Sequence, residues 1–154
     1  MKTQSKATSI NTLNRVYKDI AEKYPKGTVI LDYGCGRFNT NKDFAEAHGF
    51  KWYGYDPGWK TETENAEALN CHPDIIICSN VLNVVDDDTM FEIMHHIDKY
   101  LVPVYYTIYE GDKSGIGKET TKGFQRNEKT SEYIGWFQML YDTVNKHGNI
   151  VYCA

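Results

Sequence analysis

Three short stretches carry residues whose types and spacing can do chemistry. The first is Asp32-Tyr33-Gly34-Cys35-Gly36, directly after the apolar run Val29-Ile30-Leu31. Glycines in such a turn take conformations closed to other residues and let a ligand approach the backbone. An acid at the mouth of a strand can hold a cationic group, and the ammonium of an amino acid is the obvious candidate. The second is Asp56-Pro57, which stands 20 positions after Gly36. A carboxylate at a strand tip can accept hydrogen bonds from both hydroxyls of a ribose. The third is Ser79-Asn80-Val81-Leu82-Asn83, which follows Asp74-Ile75-Ile76-Ile77-Cys78. Asn80 offers a donor and an acceptor just past an apolar run.

These stretches need elements to position them, and the pattern supplies strands alternating with helices. A first helix is expected over Thr12 to Tyr24, with Asn11 as N-cap, and Pro25 and Gly27 end it. Strands are expected at Thr28–Tyr33, Lys51–Tyr55, Asp74–Ser79 and Val104–Tyr109, with a last one at Asn149–Cys153 whose direction the sequence leaves open. Helices fall at Asn41–His48, Glu62–Leu69 and Asp86–Leu101. Ser131 to His147 also reads as a helix, with Tyr133, Phe137, Leu140, Tyr141 and Val144 in register. The polar, glycine-containing stretch Gly111 to Lys129 reads as a long loop beside the site, where lids and substrate contacts commonly arise. The fold class is α/β: a mainly parallel sheet with helices on both faces and ligand residues at its carboxyl edge. One domain spans residues 1–154.

Two nucleotide patterns fail. The dinucleotide fingerprint needs a third glycine where Asn39 stands, and Asp32 occupies a position usually apolar in it. Gly117-Lys118 imitates part of a phosphate loop. Asp112 then stands at the first glycine and Glu119 replaces the hydroxyl residue.

Val29-Ile30-Leu31-Asp32-Tyr33-Gly34-Cys35-Gly36 resembles motif I of the class I S-adenosylmethionine-dependent methyltransferases. The resemblance covers about Thr28 to Tyr109. It implies a Rossmann-like fold with S-adenosylmethionine as cofactor. It implies that Asp32, Tyr33, Gly34, Cys35 and Gly36 line the cofactor site and that Asp56, with Pro57, holds the ribose. Ser79, Asn80, Val81 and Leu82 match the motif IV region, so Asn80 is a catalytic candidate as well. The family's usual sheet has a further strand between the ribose acid and motif IV. Only 16 residues separate Pro57 from Asp74 here, so a truncated sheet lacking that edge strand is expected. Together with Gly123-Phe124-Gln125-Arg126-Asn127, the motifs resemble small methyltransferase-like proteins of bacteria and phages. Some of their larger relatives accompany DNA phosphorothioation systems. Gln125, Arg126 and Asn127, with Tyr109 and Lys118, are then substrate-side candidates, and Glu110 is a candidate base.

The motif IV region lacks Asn/Asp-Pro-Pro-Tyr and a Pro-Cys nucleophile, which argues against methylation of DNA amino groups or of cytosine carbon. The formal net charge of −4 gives no strong nucleic-acid signal. No C-x-x-C pair and no metal spacing among the histidines signals a metal. No apolar run is long enough to span a membrane, and the polar Met1 to Ser9 lacks the core of a signal peptide. The expected place is therefore the cytoplasm, the host's if a phage encodes the chain. The methyl acceptor, small or macromolecular, and the oligomeric state are not legible. The expected activity is methyl transfer from S-adenosylmethionine to an unidentified acceptor. The alternatives are cleavage or sequestration of the cofactor, or a non-catalytic Rossmann-like binding module.

Overall fold

The computed structural model describes residues 11–121 and 123–154. The Met1–Ser9 stretch lies outside them. Helices α1, α3 and α4 each begin where a side chain takes up a free backbone amide. Helix α1 is Arg15–Lys23, and the Asn14 side chain caps it by accepting from the Val16 amide at 3.0 Å. The cap is three residues later than expected because Asn14, not Asn11, stands two positions before the buried pair Val16 and Tyr17, where its side chain reaches the Val16 amide. Helix α2 is Thr40–Ala47. Thr61 caps α3, Glu62–Leu69, and Asp86 caps α4, Asp87–Asp98. Met90, Ile93, Met94 and Ile97 form the buried stripe of α4.

Strands β1 (Val29–Tyr33), β2 (Lys51–Tyr55), β3 (Ile75–Ser79) and β4 (Val104–Thr107) lie parallel in the order β2-β1-β3-β4. The chain leaves β1 in one direction to reach β2, then crosses back to place β3 on β1's other side. That reversal opens a crevice above the carboxyl ends of β1 and β3. Strand β2 is the sheet edge, and no strand pairs beyond it among the described residues. The sheet is thus Rossmann-like and truncated as the short Pro57–Asp74 connection implies.

Alternate residues of each strand face opposite layers. Ile30, Ile75, Ile77 and Tyr105 pack under Val16, Tyr17 and Ile20 of α1 and Ala45 of α2. Leu31, Ile76, Cys78, Val104 and Tyr106 pack against α3 and α4 and against Phe137 of α5, Ile134–Leu140.

The last third departs from the expected elements. The expected helix Ser131–His147 is a short 3₁₀ turn, Thr130–Tyr133, followed by α5. Tyr141 is already extended, and β7, Val144–His147, turns through Gly148 and Asn149 into β8, Ile150–Cys153. Gly148 has φ +61°, the conformation a two-residue hairpin loop demands. The apolar register through Tyr141 and Val144 fits helix and strand alike, and the Gly-Asn pair decides for the hairpin. Strand β8 pairs antiparallel with β4 and with β7. The expected loop after β4 holds a small hairpin of β5, Lys118–Thr120, and β6, Gly123–Gln125.

Phe137 is fully buried and stacks on Tyr106 with ring centroids 4.5 Å apart. Phe137→Ala should cost about 3–5 kcal/mol in urea unfolding. Met139→Ala, two positions on and 72% exposed, should leave stability unchanged within about 0.5 kcal/mol. Equal effects would contradict this packing.

Candidate functional site

A cavity of about 310 Å³ opens at the carboxyl ends of β1, β3 and β4. Its floor is the turn after β1. Gly34 and Gly36 sit at φ +83° and +72°. The Gly34 and Cys35 amides both donate to the Tyr55 carbonyl, at 2.7 and 3.1 Å, which clips this turn to the end of β2. A Cβ on Gly34 would stand 2.4 Å from Cγ2 of Val81. Only glycine therefore lets the β1 and β3 turns pack this closely.

Asp56 joins the same turn from the other side. One carboxylate oxygen accepts from the Gly36 amide and the other from the Gly58 amide, each at 2.9 Å. Its backbone is held in turn by Asn65, whose Oδ1 accepts from the Asp56 amide at 2.8 Å. Each carboxylate oxygen has one lone pair engaged and a second free to accept from a ligand hydroxyl.

Asp32 is 1% exposed and borders the cavity. The Tyr17 hydroxyl donates to it at 2.5 Å and accepts from the Trp52 indole N–H at 2.8 Å. Burial keeps Tyr17 protonated and donating. Burial also raises the Asp32 carboxyl from an ordinary 3.8 to about 7, with Asp56 adding to the rise and the Tyr17 hydrogen bond and Lys60 opposing it. No lysine or arginine forms an ion pair with it among the described residues. A buried carboxylate without a counter-ion is a place for a cationic ligand group.

Asn80 has φ +57°, a left-handed conformation uncommon outside glycine and often found at functional turns. Its amide donates to the Thr107 carbonyl at 2.9 Å, and its side-chain oxygen accepts from the Thr107 hydroxyl at 3.4 Å. Ser79 and Thr107 hydroxyls lie 2.6 Å apart, and the Asn14 side chain donates to both.

Of the residues expected at the cofactor site, Asp32, Tyr33, Gly34, Cys35, Gly36, Asp56, Pro57, Ser79, Asn80 and Val81 all line this cavity. Leu82 does not: it is 1% exposed within the core beneath α4. The Cys35 thiol is pushed up by burial and donates to the Gly36 carbonyl, so it stays protonated.

The substrate-side candidates lie elsewhere. Tyr109 is 55% exposed, and its backbone amide donates to Asn83. Lys118 pairs with Asp112 on the surface. Gln125 accepts from the Asn83 side chain at 3.3 Å, and the Arg126 amide donates to the Asn83 carbonyl. Arg126 is buried, reaches the Val85 carbonyl at 3.1 Å and pairs with Asp87 at 2.6 Å. Asn127, at φ +58°, donates to the Ile116 carbonyl. These contacts fasten the β5–β6 hairpin to the turn after β3. Glu110 accepts from the Thr130 amide at 2.6 Å, which holds its carboxyl below the usual range, and it lies outside the cavity lining.

Sequence reasoning missed Asn14, Arg15, Asn41, Thr107 and Asn149, which also line the cavity. A signal existed for Asn14, the capping-type residue nearest the buried Val16-Tyr17 pair. Nothing in the sequence pattern announces the others. Among the described residues no group of three or more His, Cys, Asp or Glu could hold a metal ion, and no helix is long and apolar enough to cross a membrane.

The match to a family model fits this geometry. The model described as a methyltransferase domain matches residues 7–151, and the chain belongs to that family. It is a Rossmann-like, S-adenosylmethionine-dependent methyltransferase domain, and S-adenosylmethionine is its cofactor. Among solved structures it is similar to a DhpI–SAH complex, at 14% identity and TM-score 0.44 over 88% of this chain and 78% of that one. It is also similar to a Zn-dependent alcohol dehydrogenase from Rhodobacter sphaeroides, at 14% identity and TM-score 0.39 over 72% of this chain. The chain spans 57% of the length of that dehydrogenase. No curated protein matches it.

The raised Asp32 carboxyl has a signed consequence. The folded protein holds the Asp32 proton up to about pH 7, whereas the unfolded chain loses it near the ordinary 3.8. The stability tied to this group is therefore full below that lower value and is lost as pH rises through about 7. Asp32→Asn should remove this loss, so it should stabilise the ligand-free protein more at pH 8 than at pH 5. The difference between the two pH values should be on the order of 2–4 kcal/mol in urea unfolding. The same effect at both pH values would show that Asp32 is ordinary.

Proposed function

We propose that this chain transfers the methyl group of S-adenosylmethionine to an acceptor that meets it in the cavity above β1, β3 and β4. The observation that carries the reading is the pairing of a buried Asp32, which among the described residues forms no ion pair with lysine or arginine, with an Asp56 carboxylate that bridges the Gly36 amide after β1 and the Gly58 amide after β2. The two acids match the two ends of the cofactor. Asp32 suits the ammonium of the methionine part, and the free lone pairs of Asp56 suit the ribose hydroxyls. Gly34 and Gly36 leave the backbone bare between them. Val81, Tyr55 and Ile93 border the same cavity and offer apolar walls for a flat base.

The cofactor supplies a methyl group already activated on a sulfonium. The chain's own task is then alignment and exclusion of water rather than heavy acid–base work. Asn80 stands at the end of β3 with its backbone fixed by Thr107, and its side-chain amide can orient an acceptor. Glu110 is not proposed as the base, because its carboxylate is committed to Thr130.

A thermal shift against S-adenosylmethionine, S-adenosylhomocysteine and NAD tests the reading. At one hundred times its dissociation constant, S-adenosylhomocysteine should stabilise the protein by about 2.7 kcal/mol. Asp56→Ala should weaken that binding at least about tenfold, since hydrogen bonds to a charged group are lost. Product analysis should find S-adenosylhomocysteine formed only when an acceptor is present. Stabilisation by NAD alone, or release of methylthioadenosine without an acceptor, would overturn the proposal.

A further inference from the structure

The cavity has a second end that the cofactor reading leaves unused. Beyond Asn80 it is bordered by Asn14, Arg15, Asn41, Thr107 and Asn149, contributed by α1, α2, β4 and the turn before β8. This end is built rather than incidental. The Asn14 side chain donates to the hydroxyls of Ser79 and Thr107 while its Oδ1 caps α1, and the Asn14 amide donates to Asn41 at 3.1 Å. These bonds fix the start of α1 across the ends of β3 and β4. The Asn149 side chain donates to the Ile108 carbonyl at 3.1 Å, which fixes the opposite wall.

Its charge is one-sided. Among the described residues every polar side chain at this end is an amide, a hydroxyl or the Arg15 guanidinium. The two carboxylates of the lining, Asp32 and Asp56, belong to the glycine-turn end, and Asp32 sits deeper, level with Ile77 in the sheet register. Among the described residues no histidine, lysine or glutamate borders the cavity. Arg15 makes no ion pair among the described residues. Its Nη2 lies 3.9 Å from where a Cβ on Gly148 would stand, so the guanidinium spans from α1 to the β7–β8 turn.

We infer that the methyl acceptor is a small carboxylate, held at this end by Arg15 and attacking through its own anionic oxygen. This rests on the proposed methyl transfer. A protonated amine would find no base here among the described residues and would face a guanidinium. An alcohol would need a proton removed, and among the described residues no group at this end is placed to take it. A carboxylate needs neither. A lone pair on its oxygen forms the new oxygen–carbon bond as the sulfur–carbon bond breaks, and that bonding pair stays on sulfur. The products are a neutral methyl ester and a neutral thioether, and no proton moves. A guanidinium is the side chain best shaped to orient the carboxylate, because it can pair with it through two parallel hydrogen bonds.

The test is binding to the full chain loaded with S-adenosylhomocysteine. Benzoate and acetate serve as carboxylate probes, with benzylamine and benzyl alcohol as cationic and neutral counterparts. Benzoate or acetate should raise the melting temperature of the loaded protein, and the counterparts should not. Arg15→Gln should weaken carboxylate binding about tenfold and leave S-adenosylhomocysteine binding unchanged. Arg15→Lys should recover part of the loss. Three results overturn the inference: benzylamine binds and the carboxylates do not, neither carboxylate binds, or Arg15→Gln weakens S-adenosylhomocysteine instead. That last result would give Arg15 to the cofactor's own carboxylate. If S-adenosylhomocysteine fails to stabilise the wild type, the cofactor reading fails first and this inference with it.

Discussion

The site depends on one carboxylate bridging two turns. Asp56 accepts from Gly36 in the turn after β1 and from Gly58 in the turn after β2. That bridge fixes the two turns against each other, and the Tyr55 carbonyl reinforces it by accepting from Gly34 and Cys35. A carboxylate receiving two backbone amides makes stronger hydrogen bonds than a neutral acceptor would. Once these turns are set, the glycine bend is pressed against Val81, and the crevice between β1 and β3 acquires its floor.

The truncated sheet gives that bridge added weight. Among the described residues strand β2 has a neighbour on one side only, so its tip is held by fewer ladder bonds than a central strand's. Asn65 of α3 compensates by gripping the Asp56 backbone at both its amide and its carbonyl. On the opposite layer, Trp52 of β2 reaches over to Tyr17 of α1, and Tyr17 reaches Asp32. The edge strand, the first helix and the buried acid are thus one hydrogen-bonded chain, and Lys60 covers the Trp52 ring at 5.8 Å.

Much of this was legible in the sequence because its causes are local. Gly34 after β1 and Asp56-Pro57 after β2 mark where those strands stop, and the unbroken apolar run Ile75 to Cys78 marks β3. The motif residues fall at strand ends, so locating the strands locates Asp32, Gly34, Gly36, Asp56 and Asn80. What escaped is what distant segments bring together. Asn14 reaches Ser79 and Thr107 across 65 and 93 positions, which no local pattern encodes. The polar stretch at Gln125 to Asn127 looks like a substrate loop, yet Asn83 and Asp87 bind it down. The helical register from Tyr133 to Val144 misled because aromatic and β-branched residues serve strands equally well, and the hairpin turn at Gly148 outweighs it.

The most direct measurement is a map of backbone amide chemical shifts during titration with S-adenosylhomocysteine. The account requires the largest changes at Gly34, Cys35, Gly36, Asp56, Gly58, Asn80 and Val81, with the amides of β5, β6 and α5 nearly still. Changes concentrated around Gly117 and Phe124, in the separate hollow they line with Asp86, Asp87 and Arg126, with the glycine turn silent, would contradict it.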